Sequence, residues 1–142
     1  MNGSGLLAPA LALVGWTFVM WGWVLASRLP LFRRAMAGRV SLGDDPERPA
    51  WPAAVARVSD NYNHLHEQPT LFYAVAVIGY LLQVDGRAAL ALAWTYVGLR
   101  VVHSLVQATR NVIPVRFLLF LLGSGCLMAL FVLVAAAAHA GR

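Results

Sequence analysis

The chain of 142 residues is 60% hydrophobic and only 12% charged, with a mean hydropathy of +0.67 and a formal net charge of +5 at pH 7. A chain this apolar cannot clothe a soluble domain in polar surface, so it belongs in a bilayer, as one small helical unit rather than two domains. The pI of about 10.4 would suit nucleic acid, but no soluble basic domain exists to bind it, and the single cysteine, Cys126, leaves neither an internal disulfide nor a cysteine-rich metal site.

A span needs about 20 apolar residues to cross about 30 Å of hydrocarbon. Four charge-poor segments, about 6–27, 61–83, 87–109 and 115–138, meet or approach that length. The expected fold is therefore all-α: one domain over residues 1–142, a bundle of four transmembrane helices. No basic residue precedes the first span and its apolar run exceeds a signal core of about 7–15 residues, so it is expected to be an uncleaved anchor. Trp16, Trp21 and Trp23 within it suit helix packing and interface anchoring.

The loop that follows carries Arg28, Arg33, Arg34, Arg39, Arg48 and Arg57, against only Arg87 and Arg142 on the other side. The positive-inside rule then places this loop and the one at Arg110 in the cytoplasm of an integral membrane protein, a bacterial inner membrane being the expected setting, with both termini outside. Pro46, Pro49 and Pro52 argue against a continuous helix through the loop. Beyond Pro52 the pattern is helical again, and the second helix is expected to project several turns from the membrane, kinked at Pro69. Between the second and third spans QVDGR allows only a tight turn with Asp85-Gly86 at its tip, which makes those helices an antiparallel hairpin.

Polar residues fall on definite faces. At 3.6 residues per turn, Arg57, Asp60, Asn61, His64 and Gln68 share one face of the second helix, with Asn63, Glu67 and Thr70 beside it. In the third span Tyr96, Arg100, His103, Gln107 and Arg110 form one stripe. A charge near the bilayer centre costs about 2.5–3.5 kcal/mol on insertion scales, so this stripe must face inward, to a partner, a cavity or a substrate. Plainer readings exist: Arg100 pairs with Glu67 or Asp60 across the hairpin, His103 is a hydrogen-bonded core histidine, and Arg57 with Asp60 is a surface ion pair that contributes little. His64 and His66, two residues apart, diverge on a helix, so no zinc site is expected.

The combined pattern resembles the MAPEG family, the membrane-associated proteins in eicosanoid and glutathione metabolism. Asn63, Glu67 and Pro69 follow the family's order of Asn, acidic residue and Pro in its second helix. RVVHSLVQATRNVIPVR resembles the prostaglandin E synthase branch, where an Arg is followed three residues later by a His and then by Pro-x-Arg; Arg100, His103, Pro114 and Arg116 stand at that spacing. Arg33-Arg34-Ala35-Met36 matches the end of the family's first span.

The resemblance implies a homotrimer of four-helix subunits that binds glutathione as co-substrate between neighbours near the cytoplasmic side. Arg116 matches the arginine that stabilises the glutathione thiolate, while Asn63, Glu67, Arg100 and His103 would hold the tripeptide, with Arg57 as a further contact. The implied activity is that of a glutathione S-transferase or peroxidase acting on hydrophobic electrophiles from the bilayer. The chain departs from the family at Ser59, where an arginine is usual, at His66, the usual acidic position, and at Gln107, Phe117 and Phe120, where the catalytic branch is polar. These departures keep a second reading open, a non-catalytic lipid-binding or scaffold member of the same fold. A transporter is a more distant third, because discontinuous helices and paired intramembrane acids are not evident.

Overall fold

A computed structural model describes residues 5–39 and 51–140. The described chain forms five helices: α1 Leu7–Met36, α2 Ala53–His64, α3 Gln68–Leu81, α4 Arg87–Ala108 and α5 Ile113–Ala140. Pro46, Arg48, Pro49 and Arg142 lie outside the described residues. α1, α4 and α5 are long and apolar enough to cross a membrane. The 14 residues of α3 rise only about 21 Å.

The second expected span is therefore two helices, and here the expectation of one kinked helix is corrected. Glu67, at φ −89° and ψ −100°, leaves helical space between α2 and α3. Pro69 has no N–H to continue the ladder of α2, whereas in the first turn of α3 that donor would have no intrahelical partner anyway, so it starts a helix instead of bending one. The expectation of uninterrupted helices, used above against a transporter, fails at this joint as well. α1 runs nine residues past the expected boundary of its span, to Met36, with Arg33 and Arg34 in its last turn, where cations favour the helix dipole.

Two turns reverse the chain by left-handed residues. After α3, Gln83 (φ 57°) donates its N–H to Tyr80 O at 3.0 Å and Val84 donates to Gly79 O at 2.9 Å, the paired bonds of a Schellman cap. The reversal thus begins at Gln83 and not at the expected Asp85-Gly86; Gly86, at φ −58°, uses an ordinary conformation. After α4, Asn111 (φ 53°) donates to Val106 O at 2.7 Å. Asparagine is one of the few side chains at ease there.

α4 packs most extensively on α5, while α1 touches α2, α3 and α4. α3 and α4 are antiparallel, as the short connection requires: Phe72 stacks on Tyr96 at 4.6 Å and, one turn on, Gln68 meets Arg100. One apolar core gathers Leu13, Phe72, Ala93, Tyr96 and Leu130; a second gathers Met20, Val24, Val58, Leu65 and Ala108 near the arginine-rich end of α1. Trp16 packs against both, and Cys126 packs against the first. Gly79 lets α3 approach closely, since a Cβ there would lie 2.6 Å from Leu6 Cδ1 and 2.9 Å from Val134 Cγ2. The outer surface is apolar, with Phe18, Leu71, Leu81, Phe117 and Met128 all exposed, as a lipid-facing surface would be.

Candidate functional site

The inward stripe of α4 is buried at Tyr96, Arg100, His103 and Gln107. Arg110 departs from it, because Thr109 (ψ −86°) ends the helix and leaves Arg110 exposed. Arg100 is 3% exposed. Its Nε donates to Tyr96 Oη at 3.1 Å and its Nη2 donates to Gln68 Oε1. Gln68 Nε2 donates to Ser124 Oγ at 2.7 Å, and Ser124 Oγ donates to Phe120 O at 2.7 Å. The guanidinium also lies over the rings of Tyr96 and Phe120, 5.4 and 5.8 Å from their centroids. A chain of hydrogen bonds thus ties α3, α4 and α5 around one buried cation.

Every one of those partners is neutral. Neither Glu67 nor Asp60 neutralises Arg100, which corrects the ion-pair reading: the Glu67 carboxylate is 2.6 Å from His64 Nδ1, and Asp60 is exposed. Among the described residues no carboxylate pairs with Arg100. A cation buried without a counter-charge is costly, and the arrangement suits an anion brought by a ligand.

His103 adds to this. Its ring stacks on His64 at 5.5 Å with 28° between planes, and both its nitrogens are buried without a hydrogen-bond partner. Buried polar atoms without partners also include Asn61 Nδ2, Ser104 Oγ and Gln107 Oε1. Native interiors pair almost all such groups, so these unmet donors and acceptors on α2 and α4 suit water or a polar ligand. His66, in the joint beyond α2, faces away, its ring nitrogen 2.8 Å from Tyr62 O, so His64 and His66 do diverge.

Arg116, in the first turn of α5, is half-buried. Its Nη1 donates to Asn111 Oδ1 at 2.6 Å, while its Nε is buried and unpartnered. Phe120, one turn past Arg116 on α5, lies 5.8 Å from the Arg100 guanidinium and 6.5 Å from the His64 ring that stacks on His103. The structure therefore brings Arg100, His103 and Arg116 to one region, with Glu67 reaching it through His64. Arg57 and Asn63 are placed elsewhere. Arg57 is half-buried two turns before His64, about 10 Å along α2, and Asn63 is exposed on a groove between α1 and α2. Sequence reasoning placed His64 and Gln68 on the polar face of the second helix without giving them a role, and missed Ser124 and Asn111. A lone Ser in the apolar run of α5 and an Asn just past the end of α4 were the available signals.

Comparison with known proteins now bears on this geometry. A family model described as the MAPEG family matches residues 6–136. The chain belongs to the MAPEG family. No curated protein and no solved structure matches it. As a member of MAPEG, a family that includes glutathione transferases and peroxidases among other proteins, it is a membrane protein, which agrees with its three span-length helices.

Proposed function

We propose that this MAPEG protein is a membrane-bound glutathione S-transferase or peroxidase that activates the glutathione thiol and delivers it to hydrophobic electrophiles from the bilayer. The observation that carries this reading is Arg100, buried among neutral partners beside His103 and Arg116. Glutathione is an acidic tripeptide with two carboxylates and a thiol. A planar guanidinium binds a carboxylate through two parallel donors, and a second guanidinium favours the thiolate. A free thiol with a pKa of about 8.5 is mostly protonated at neutral pH, so a cation at Arg116 raises the nucleophilic fraction. In the transferase reaction the thiol proton leaves to solvent, the sulfur lone pair forms a bond to the electrophilic carbon, and the leaving group departs with its bonding pair.

The same reading has α2 with α3 as the fourth crossing, the chain as a homotrimer, and the tripeptide between neighbours at a cytoplasmic site. A trimer also gives Asn63 and Arg57 a role, since residues that do not meet Arg100 within one subunit can face it from the next. The second reading, a non-catalytic lipid-binding or scaffold member, is favoured by Phe120, which covers one side of Arg100 with an apolar ring. One experiment separates the two. Purified protein mixed with glutathione should show thiolate absorbance near neutral pH and conjugate 1-chloro-2,4-dinitrobenzene with release of chloride. Protein with no thiolate signal and no conjugation with any of several electrophiles would be the scaffold.

A further inference from the structure

Along one flank of α1 two grooves run end to end. The first, about 420 Å³, lies between α1 and α2 and is walled by Val24, Leu25, Leu29 and Phe32. The second, about 260 Å³, continues past the α2–α3 joint along Val14, Phe18, Leu65 and Tyr73. Trp21 and Tyr62 line both. From Val14 to Phe32 the wall is a single stripe of α1, so the trough is about 27 Å long. Three of its polar side chains bond to their own backbone: Thr17 donates to Leu13 O at 3.0 Å, Thr70 donates to Glu67 O at 2.6 Å, and His66 lies 2.8 Å from Tyr62 O. The rest of the wall is largely carbon.

The exception stands at one end. Arg28 is fixed by Ser59, whose buried Oγ accepts from Nη2 at 2.9 Å, and by Trp51, whose ring centroid is 4.8 Å from the guanidinium carbon. Both partners are neutral, Arg28 Nε is buried without a partner, and the amide of Asn63 lines the groove beside it. Arg33 and Arg34 follow on the same helix. Depth identifies the ligand. α1 rises about 31 Å from Leu7 to Arg28, close to the thickness of the hydrocarbon core, so with the N-terminal end of the helix at one interface Arg28 reaches the other, where phospholipid phosphates lie.

We propose that this trough binds an acidic phospholipid of the surrounding bilayer, its phosphate on Arg28 and one acyl chain along α1. Ser59 engages one donor of the guanidinium, and the remaining donors suit phosphate oxygens. A basic pocket between membrane helices at an interface is the setting in which such headgroups are held. The site is separate from Arg100 and Arg116 and does not depend on the glutathione reading.

The test uses the full chain in nanodiscs of equal parts phosphatidylglycerol and phosphatidylcholine, released into the gas phase for native mass spectrometry of the lipids retained. Wild type should retain phosphatidylglycerol over phosphatidylcholine, and Arg28→Ala should lower that preference about five- to tenfold, the loss of one interfacial cation. Leu25→Trp, which fills the trough and leaves Arg28 in place, should lower retention too, while Arg87→Ala at the far end of the molecule should not. Equal retention of the two lipids by wild type, an unchanged preference in Arg28→Ala, or replacement of phosphatidylglycerol by added oleate would each overturn the proposal.

Discussion

At the scale of single residues, two guanidiniums differ in how they are held. Arg100 is locked by three helices, so its loss should act on binding: Arg100→Ala is expected to weaken glutathione affinity by roughly 2–5 kcal/mol in calorimetry, as for a buried charged contact. Glu67, with 64% of its side chain exposed and engaged with His64, should contribute under about 1 kcal/mol. Arg116 should act on the ionised sulfur instead. Arg116→Ala is expected to lower turnover far more than affinity and to move the thiolate absorbance of bound glutathione to higher pH, with Arg116→Lys recovering part of the loss because an ammonium lacks the planar donor set. Asn111 orients Arg116 while also closing α4. The two duties separate by substitution: Asn111→Gly keeps the left-handed turn and removes the acceptor, so it should reduce turnover with little change in thermal stability. If Asn111→Gly turns over like wild type, Arg116 is oriented by something else.

At the scale of elements, the connections decide which faces meet. The left-handed Gln83 carries strain of about 1 kcal/mol that glycine would relieve, so Gln83→Gly should raise stability by about that amount. Gly79 is the opposite case. Leu6 can swing its terminal methyl aside, but Val134 is β-branched and stiff, so Gly79→Val should destabilise by about 1–3 kcal/mol and loosen α3 from α5, visible as a lowered unfolding temperature. The helices were legible in the sequence because apolar runs of span length have few alternatives, and the burial of Arg100 and His103 was legible because lipid excludes charge. The joint at Leu65–Glu67 was not. A proline bends a helix or starts one according to whether the preceding backbone leaves helical space, as it does here at Glu67, and no residue type in NHLHEQP announces which. Asn63 misled for a related reason: the interruption ends α2 at His64, and the side of α2 that carries Asn63 faces the groove beside α1 rather than α4.

At the scale of the whole molecule, the arginines mark the ends of the bundle. Arg28, Arg33, Arg34 and Arg116 cluster toward one end, and Arg87 stands at the other. If the first end is cytoplasmic, a cysteine replacing Ala37 should resist an impermeant maleimide applied to intact cells, while one replacing Asp85 should react; equal labelling of the two would reverse or dissolve the orientation. The proposed homotrimer should appear as a single species of three chains in native mass spectrometry, and a monomer that still binds glutathione would remove the need for a shared site.

The network around Arg100 also bears on how the protein is made. Ribosomes deliver α4 before α5, so Arg100 arrives at the bilayer when Gln68 already exists and Ser124, which holds Gln68 in place, does not. A lone arginine at mid-span opposes insertion by about 2.5–3.5 kcal/mol, enough to tip a marginal segment out of lipid. α3 is therefore expected to accompany α4 as a hairpin, with the pair becoming secure once α5 closes over it. Chains truncated before Ile113 should leave α4 partly uninserted in a glycosylation-mapping assay, whereas the same truncation with Arg100→Leu should insert fully. The residue proposed to receive a ligand in the finished protein is thus expected, during biogenesis, to make α4 wait for α5.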